Sequence, residues 1–519
     1  MNLKPLQAVL YLCGILSLLL LAGCERPEPE VTIVVTPASI PPAMLTVQAE
    51  RGEPLDELLL VDDLPLDLPP DYVGTPTPDP PRALPTYEPG SLLHTVSAGE
   101  TLGYIAHMYQ TSLDDLQEAN GLANQDLLFV GQQLVIPREG PPAYVSPDFK
   151  VIPDSELVYG PAAKGFDVRQ VANLYGGYLL EYGETVEGEW LAGPEIVSLV
   201  AHRFSVNPRL LLAVLEHRSG WVTRPAGVET PYPLGVSQAN LQGLYRQLSW
   251  TADRLNFGFY GRSEGGVTSF TIGDGQRFAF NTTINDGTAG VQVMLGAHAG
   301  ASYQQWLQDV GPNGLFATYS RLFGNPFAYT VDPLWPDNLQ QPDLVLPWAS
   351  DEAWYMTSGP HGGWAAGSSW AALDFAPPGE QLGCVQSDYW VTAMADGIVT
   401  RSDFGAVVVE LSGDGYAGTG WAITYMHVER RNRVPVGTEV RTGDRLGHPS
   451  CEGGFSTGTH LHIARTYNGR WVAADGPLPF VMSGWVSEGT GREYNGRLIR
   501  DGVVREACQC REEINRIGH

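Results

Sequence analysis

Two histidines two positions apart, His460 and His462, carry the clearest chemical signal in this sequence. Residues 458–463 alternate polar and apolar side chains, which predicts a β-strand. Because successive side chains of a strand point to opposite faces, both histidines share one face, and Leu461 and Ile463 point into a core. Two adjacent imidazoles can bind zinc, or one can bind while the other transfers protons. A chain of 519 residues with 11 histidines contains about 0.2 such pairs by chance, so the surroundings must add weight.

Three further residues complete a candidate metal site. Residues 371–375 show the same alternation, and Asp374 lies on the face opposite to its apolar neighbours. A carboxylate is disfavoured in a strand and needs a partner when buried. His361 lies just before this strand in a Gly-rich loop, and His427 ends a predicted strand over 422–427. Two imidazoles and one carboxylate would make a three-ligand zinc site with an open fourth position for water, and two histidines would remain for acid–base chemistry.

The order of these residues resembles the lysostaphin/LytM type of zinc metalloendopeptidase. The matching pattern is His…Asp, then Tyr-x-His, then Gly-x-His-x-His, with hairpin glycines between residues 434 and 447, and it covers residues 346–485. The resemblance implies an antiparallel β-rich peptidase domain that cleaves peptide cross-links or stem peptides of peptidoglycan. It also implies a role for five side chains: the zinc ligands are His361, Asp374 and His462, and the catalytic histidines are His427 and His460.

The spacing departs from the family at one place. Residues 362–373 separate His361 from Asp374, whereas only a few residues separate these two ligands in many members of the family. His448 fits no family position, and we interpret it as a turn residue. A non-catalytic reading also exists, in which the chain is a peptidoglycan-binding scaffold or an activator of other wall hydrolases. Relatives of that kind have typically lost zinc-site residues, so the five filled positions favour catalysis.

The beginning of the chain resembles a bacterial lipoprotein signal peptide. Lys4 precedes an apolar segment over residues 6–21, which is short for a membrane span. Residues 21–24 read Leu-Ala-Gly-Cys, which resembles a lipobox. The resemblance implies that residues 1–23 are removed on export and that lipids on Cys24 anchor the protein to a membrane in the cell envelope. The alternative is an ordinary signal peptide with an accidental cysteine.

Residues 24–90 are rich in Pro and predict a linker between the anchor and the domains. Such a segment would span about 45 Å as a flexible coil and up to about 200 Å when extended. The net charge of −27 argues against nucleic acid and anionic surfaces as partners.

Residues 91–138 resemble the LysM carbohydrate-binding module. The segment His-Thr-Val-Ser-Ala-Gly-Glu-Thr-Leu over 94–102 begins the match, and residues 130–137 close it after two short predicted helices. The resemblance implies a βααβ fold that binds N-acetylglucosamine glycan. Five residues flank the expected groove, and each could instead keep the fold: Gly99, Thr101, Leu102, Asn120 and Ile136.

Residues 150–345 predict a mostly helical middle domain. Asn207 is a plausible cap before Pro208, and the apolar helices over 195–204 and 209–217 are expected to pair. Residues 206–220 resemble in part the catalytic helix of lysozyme-like transglycosylases, in which a Glu directly precedes Ser-Gly. Arg218 stands at that place and Glu216 is about 200° around the helix. A helical spacer, or a binding module without catalysis, is therefore favoured over a glycan-cleaving domain.

Apart from Cys13 and Cys24 in the first 24 residues, the cysteines all lie in the C-terminal half: Cys384, Cys451, Cys508 and Cys510. Export permits disulfides, and four cysteines allow three pairings, of which a Cys508–Cys510 bridge has a short and strained span. We expect residues 486–519 to pack on the peptidase domain. The overall expectation is a multidomain α+β protein with a LysM module, a helical middle domain and a β-rich zinc peptidase domain.

Overall fold

A computed structural model describes parts of residues 92–136, and residues 144–519 except 226–228, 265–266, 299–300, 380–382 and 455. The predicted signal peptide, Cys24 and the linker lie outside the described residues, as do Gly99 and Thr101. Within the described part of the chain, no helix has both the length and the apolar character needed to cross a membrane.

The LysM-like segment has the predicted outer strands. Strand β1 (Leu92–Thr95) pairs antiparallel with β2 (Gln133–Ile136), and residues 102, 105–106 and 116–117 between them are helical. Their apolar side chains form a small separate core, whose members are Val96, Leu102, Ile105, Ala106, Leu116, Leu134 and Ile136.

The middle region is mostly helical, as the sequence predicts. Its seven described α-helices are α1 (Val168–Tyr175), α2 (Gly193–Phe204), α3 (Pro208–Ser219), α4 (Leu244–Ser263), α5 (Asp286–Gly296), α6 (Tyr303–Asp309) and α7 (Leu315–Phe323). Its strands are β3 (Tyr144–Val145), β4 (Gly183–Val186), β5 (Glu189–Ala192), β6 (Ser269–Thr271) and β7 (Arg277–Ala279). Strands β4 and β5 form an antiparallel hairpin, and β7 lies between β3 and β6.

The start of α3 confirms the predicted cap. The Asn207 side chain accepts a hydrogen bond from the Arg209 backbone N–H at 3.0 Å, and Pro208 occupies the first helical turn. Proline is tolerated there because its missing N–H would have no partner within the helix. The helix ends at Gly220, whose φ of 69° is a left-handed conformation that glycine adopts at little cost.

The C-terminal region is built on one large antiparallel sheet. Its strands are β8 (Ala353–His361), β9 (Ala372–Ala376), β11 (Gly397–Asp403), β12 (Ala406–Glu410), β13 (Trp421–Met426), β14 (Glu439–Val440), β16 (Leu461–Tyr467), β17 (Arg470–Trp471) and β22 (Arg516–Gly518). The strand order is β14-β11-β12-β13-β16-β9-β8-β22, with β17 beside β16.

Two smaller sheets accompany it. Strand β10 (Val391–Thr392) pairs with β15 (Arg445–Gly447), and a four-stranded sheet contains β18 (Val481–Met482), β19 (Trp485–Gly489), β20 (Gly496–Arg500) and β21 (Val503–Glu506). Residues 486–519 thus supply strands to two sheets, because β22 extends the large sheet beside β8.

The two faces of the large sheet belong to different cores. Leu373, Ile423 and Ile463 face a core formed within the C-terminal region. Ala372 and Ala464 point to the other face and share a core with the helices of the middle region. Small side chains on this face let the helices approach closely, so the two regions form one packed body.

The four cysteines form two disulfides, Cys384–Cys451 and Cys508–Cys510. This is one of the three pairings that the sequence left open, and it includes the bridge between near neighbours.

Candidate metal centre

Three neighbouring strands bring His361, Asp374 and His462 together. His462 is directly opposite Asp374 in the β16–β9 pair, and His361 pairs with Ala372 in the β8–β9 pair. His361 is therefore the last residue of β8, whereas the sequence predicted a loop position. The prediction was wrong because pairing with β9 continues to the end of the Gly-Pro-His segment. His361 Nε2 lies 3.1 Å from His462 Nδ1 and 3.3 Å from Asp374 Oδ1, and His462 Nδ1 lies 3.2 Å from Asp374 Oδ1.

These three atoms fit a zinc ion. Ligands about 2.0–2.1 Å from a tetrahedral centre are about 3.4 Å apart, which is close to the three separations observed. Asp374 Oδ1 is buried and accepts no hydrogen bond from any described residue. A buried carboxylate oxygen without a donor is costly unless a cation completes its environment. The donor set and the unsatisfied oxygen both suit a divalent metal.

Backbone carbonyls orient both candidate ligand histidines, His361 and His462. His361 Nδ1 lies 2.9 Å from the Gly359 carbonyl, and His462 Nε2 lies 3.1 Å from the Gly363 carbonyl. A carbonyl oxygen only accepts, so each of these ring nitrogens must carry the hydrogen. The other nitrogen of each ring then has a free lone pair directed at the cluster, which is the usual support for metal-binding histidines.

His427 and His460 lie next to this cluster with their rings 4.3 Å apart. His427 follows β13 directly and has a positive φ of 61°, and its Nδ1 donates to the Glu452 carbonyl at 2.9 Å. His460 Nδ1 donates to the Gly458 carbonyl at 2.7 Å, and its Nε2 lies 3.8 Å from Asp374 Oδ1. In both residues Nδ1 is the ring nitrogen held by a backbone carbonyl, and Nε2 is the other one.

Burial and the mutual charges of the cluster shift its pKa values. Burial by itself raises the pKa of Asp374, but His361 and His460 outweigh it and hold that pKa well below its usual value. Burial lowers the pKa of His361, but the Asp374 carboxylate outweighs it and the net shift is upward. Burial, followed by the neighbouring His460 and His462, lowers the pKa of His427 to about 3. His427 is therefore a neutral imidazole at neutral pH.

Tyr494 contacts the cluster although nothing in the sequence pattern indicated it. Its ring stacks on His361 with centroids 4.8 Å apart and an interplanar angle of 23°. Backbone hydrogen bonds from Gly359 N to Tyr494 O and from Tyr494 N to Pro360 O fix it beside the end of β8. The C-terminal extension thus contributes directly to the surroundings of the metal centre.

His448 lies outside the cluster. It is buried directly after β15, its Nδ1 donates to the Tyr389 carbonyl at 2.9 Å, and its ring packs on Trp390 at 3.9 Å. The sequence analysis interpreted His448 as a turn residue, and these contacts show that its side chain is packed in the interior.

Three of the residues predicted to flank the LysM groove lie in the described part of the chain: Leu102, Asn120 and Ile136. Leu102 and Ile136 are buried in the core of the module. Asn120 accepts from Val135 N at 2.6 Å and donates to the carbonyls of Val135 and Leu116 at 2.7 and 2.8 Å. These contacts are those that the fold-keeping alternative expects, and glycan binding by the three residues stays a prediction.

Glu216 in α3 is engaged within the middle region. Its Oε2 accepts from Val222 N and Thr223 N at 3.0 and 3.1 Å, and its Oε1 accepts from the Thr223 hydroxyl at 2.7 Å. Arg218, at the position of the transglycosylase acid, forms an ion pair with Asp309 at 3.0 Å. A carboxylate that accepts three internal hydrogen bonds is poorly placed to donate a proton to a glycan.

Comparison with known families gives the class of each part of the chain. Residues 376–474 match Peptidase family M23, residues 94–137 match the LysM domain, and residues 150–336 match the N-terminal domain of LasA. The chain thus combines a LysM module with a LytM-type peptidase domain, which confirms the resemblance found in the sequence. The M23 match covers His427, His460 and His462 and begins two residues after Asp374.

Two curated proteins with a similar sequence are both named Protease LasA, from Pseudomonas aeruginosa strains PAO1 and UCBPP-PA14. Each is 27% identical, over 345 and 346 residues respectively, and each alignment covers 62% of this chain and 75% of the relative. The middle region, for which the sequence left a lysozyme-like fold open, thus has a named counterpart in the LasA N-terminal domain.

Solved structures similar to this chain include two peptidases. The M23 metalloprotease pseudoalterin from the deep sea is 25% identical with a TM-score of 0.27, covering 32% of this chain and 96% of that one. The catalytic domain of lysostaphin from Staphylococcus simulans is 22% identical with a TM-score of 0.18, covering 24% of this chain and 95% of that one.

Proposed function

We propose that this chain is an exported, zinc-dependent endopeptidase that cleaves cross-links or stem peptides of peptidoglycan. The observation that carries the proposal is the convergence of His361, Asp374 and His462 within about 3.3 Å of one another, with two further histidines beside them. The M23 match and the likeness to Protease LasA support a peptidase rather than a scaffold.

His361, Asp374 and His462 would hold the ion. A bound Zn²⁺ supplies Lewis acidity and lowers the pKa of water toward neutrality. The protein holds the two imidazoles in the required tautomers through the carbonyls of Gly359 and Gly363.

His427 and His460 would handle protons and the developing charge. In both residues Nδ1 donates to a backbone carbonyl, so Nε2 is the nitrogen that can accept a proton from the attacking water. Once protonated there, the same nitrogen can donate to the oxyanion of the tetrahedral intermediate or to the departing amine. The His460 Nε2 lies 3.8 Å from Asp374 Oδ1, so it is beside the proposed metal ligands.

The other parts of the chain would place this chemistry at the cell wall. Lipid on Cys24 would anchor the protein to the membrane, the linker over 24–90 would give it reach, and the LysM module would bind N-acetylglucosamine glycan. The LysM match supports glycan binding, and the lipobox-like sequence before Cys24 supports the anchor.

Digestion of purified peptidoglycan tests the proposal. We expect the full chain to release fragments with new amino termini and intact glycan, and we expect a chelator to stop release until zinc is restored. Mass spectrometry of the fragments identifies the bond that is cut. Release that continues unchanged under a strong chelator would exclude the metal mechanism, and no release under any condition would favour the scaffold alternative.

A further inference from the structure

A cleft of about 870 Å³ lies between the middle region and the peptidase domain. One wall includes Phe257 and Tyr260 of α4, and the opposite wall includes Trp370, Asp475 and Arg492 of the peptidase domain. Its volume falls within the usual range for a ligand-binding pocket, and junctions between domains are a common location for such sites.

Two segments that line the cleft also lead to the metal centre. Residues 366–370 belong to the connection between β8 and β9, in which the Gly363 carbonyl holds the His462 ring. Residues 491–493 precede Tyr494, which stacks on His361. The Glu493 carboxylate joins the two segments by accepting from Gly362 N at 3.3 Å. A substrate bound at the metal centre could therefore continue into this cleft.

The lining combines aromatic rings with an excess of acidic groups. The rings are those of Tyr109, Phe257, Tyr260, Trp335 and Trp370. The acids Glu264, Asp337, Asp475 and Glu493 outnumber the two arginines. One cation already uses this chemistry, because the Arg470 guanidinium lies 4.9 Å from the centre of the Trp335 ring and pairs with Glu264 at 3.1 Å. Rings with nearby carboxylates are a recurring environment for ammonium groups.

Asp475 is the acidic group best placed for an incoming cation. It is half-buried, and it takes part in none of the ion pairs found among the described residues. Burial raises the pKa of its carboxyl above the usual value, so its charge is incompletely compensated within the chain. A positive ligand group would restore that compensation.

We propose that this cleft binds an ammonium-bearing arm of the peptide substrate, with Asp475 as the counter-ion and the rings of Trp335 and Trp370 beside the cation. The inference rests on the peptidase function proposed above and adds a substrate class to it: peptides with a free amine at a distance from the cleaved bond. The amine can be a side-chain amine or an amino terminus, since both present the same cation.

Calorimetric binding of matched peptides tests the inference. The full chain with His460→Ala is titrated with one peptide in three forms: unmodified, acetylated on the side-chain amine, and acetylated on the amino terminus. We expect acetylation of the recognised amine to weaken binding about five- to tenfold, the size of one partly exposed cation–π and carboxylate contact. The form that loses affinity identifies the source of the amine.

Three further substitutions decide whether the cleft is responsible. The quantity compared is the ratio of the affinities for the unmodified and the acetylated peptide. Adding Asp475→Asn or Trp335→Ala should bring this ratio close to one. Asp351→Asn, at an exposed carboxylate outside the cleft, should leave the ratio unchanged. Thermal melts show which variants fold. If Asp475→Asn fails to fold, the affinity ratio of Trp335→Ala decides the test. Equal affinities for all three peptides, or a ratio that survives both cleft substitutions, would overturn the inference. Cleavage by the wild-type chain is measured in parallel, so failure of the peptidase function is seen separately.

Discussion

At the scale of single residues, the centre is organised by the main chain. Four histidines surround Asp374, and each gives one ring N–H to a backbone carbonyl: those of Gly359, Glu452, Gly458 and Gly363. Because the loops fix all four tautomers, the free nitrogens are set before any metal or substrate arrives. Because each ring is held by its own carbonyl, substituting one histidine should leave the others in place. The proposed metal ligands and the proposed proton-transfer residues can therefore be tested one at a time.

Replacing ligands and proton-transfer residues should give two distinct classes of variant. His361→Ala, Asp374→Ala and His462→Ala should each lose zinc and activity together, because each removes metal affinity along with the activated water. His460→Ala and His427→Ala should keep most of the zinc and still lose activity by roughly 10²-fold or more. Elemental analysis and peptidoglycan digestion of the same preparations check both quantities.

His448→Ala is the matched control, since it removes a buried histidine that contacts Tyr389 and Trp390 rather than the cluster. It should retain zinc. Full metal loss in His460→Ala with normal metal in His462→Ala would show that the two roles are exchanged.

The shared face of His460 and His462 could be predicted from the sequence, since strand alternation sends Leu461 and Ile463 into the core. The carbonyls that hold the rings could not be predicted, because every residue has a backbone carbonyl and the sequence does not show which one accepts a hydrogen bond. Tyr494 was equally hidden: it lies 133 positions along the chain from the histidine on which it stacks.

At the scale of elements, the Cys384–Cys451 disulfide secures the segment behind His427. Ser450 N donates to the His427 carbonyl at 2.6 Å, and the Glu452 carbonyl accepts from the His427 ring. The bridge joins this segment to residue 384 across a sequence separation of 67. The disulfide therefore holds in place the segment that contacts His427, a proposed catalytic residue, in addition to stabilising the fold.

Removing this bridge with Cys384→Ser and Cys451→Ser should lower the free energy of unfolding by about 4 kcal/mol, the chain-entropy value for a loop of this length. It should also lower kcat, since the His427 support loses its tether. The control is Cys508→Ser with Cys510→Ser, whose short loop should contribute only about 1–2 kcal/mol. Denaturant unfolding and peptide cleavage measure both effects, and an unchanged kcat without the 384–451 bridge would contradict the positioning role.

The end of helix α3 gives a prediction about the middle region. Glu216→Gln should create no change in glycan cleavage, because the full chain is expected to have none. It should instead destabilise the fold by about 1–3 kcal/mol, since Oε2 accepts two backbone N–H groups and the amide can satisfy only part of this pattern. Thermal melting tests stability, and chromatography of digested glycan tests for new sugar ends. Sugar ends that appear with the wild type and vanish in Glu216→Gln would restore the transglycosylase alternative.

The presence of helices and the residues at which they begin could be predicted from local sequence patterns, as the Asn207 cap shows. The position of His361 was not. The Gly-Pro-His segment has loop composition, yet it completes β8 because β9 supplies pairing partners beyond the sequence neighbourhood. The long connection over residues 362–371 also makes contacts that are distant in sequence. Gly367 N donates to Asp253 of α4, and Trp364 packs near Phe204 of α2, so the connection packs against the middle region.

At the scale of the whole molecule, the metal centre and the middle region share one face of the large sheet. Ala372 and Ala464 point to that face and belong to the same core as the middle helices. The domains were readable one by one from the sequence, but this joint core was not, because alanines on a strand do not reveal what covers them. The peptidase domain therefore depends on its neighbour for burial of its apolar surface.

The joint core predicts that the middle and peptidase regions unfold in one transition. Trp471 is buried between them: its backbone N donates to the Tyr260 hydroxyl at 2.9 Å, and its indole N–H donates to the Phe204 carbonyl at 3.3 Å. Trp471→Ala should therefore destabilise both regions together by about 3–5 kcal/mol, through the cavity and the unsatisfied partners that it leaves. Trp190→Ala, at a side chain that is 70% exposed on β5, should change stability by less than about 0.5 kcal/mol. Thermal unfolding followed by pulsed proteolysis, with peptides from each region identified by mass spectrometry, resolves the two regions in one sample. Separate transitions, with Trp471→Ala shifting only the peptidase peptides, would show that the regions fold independently despite their shared core.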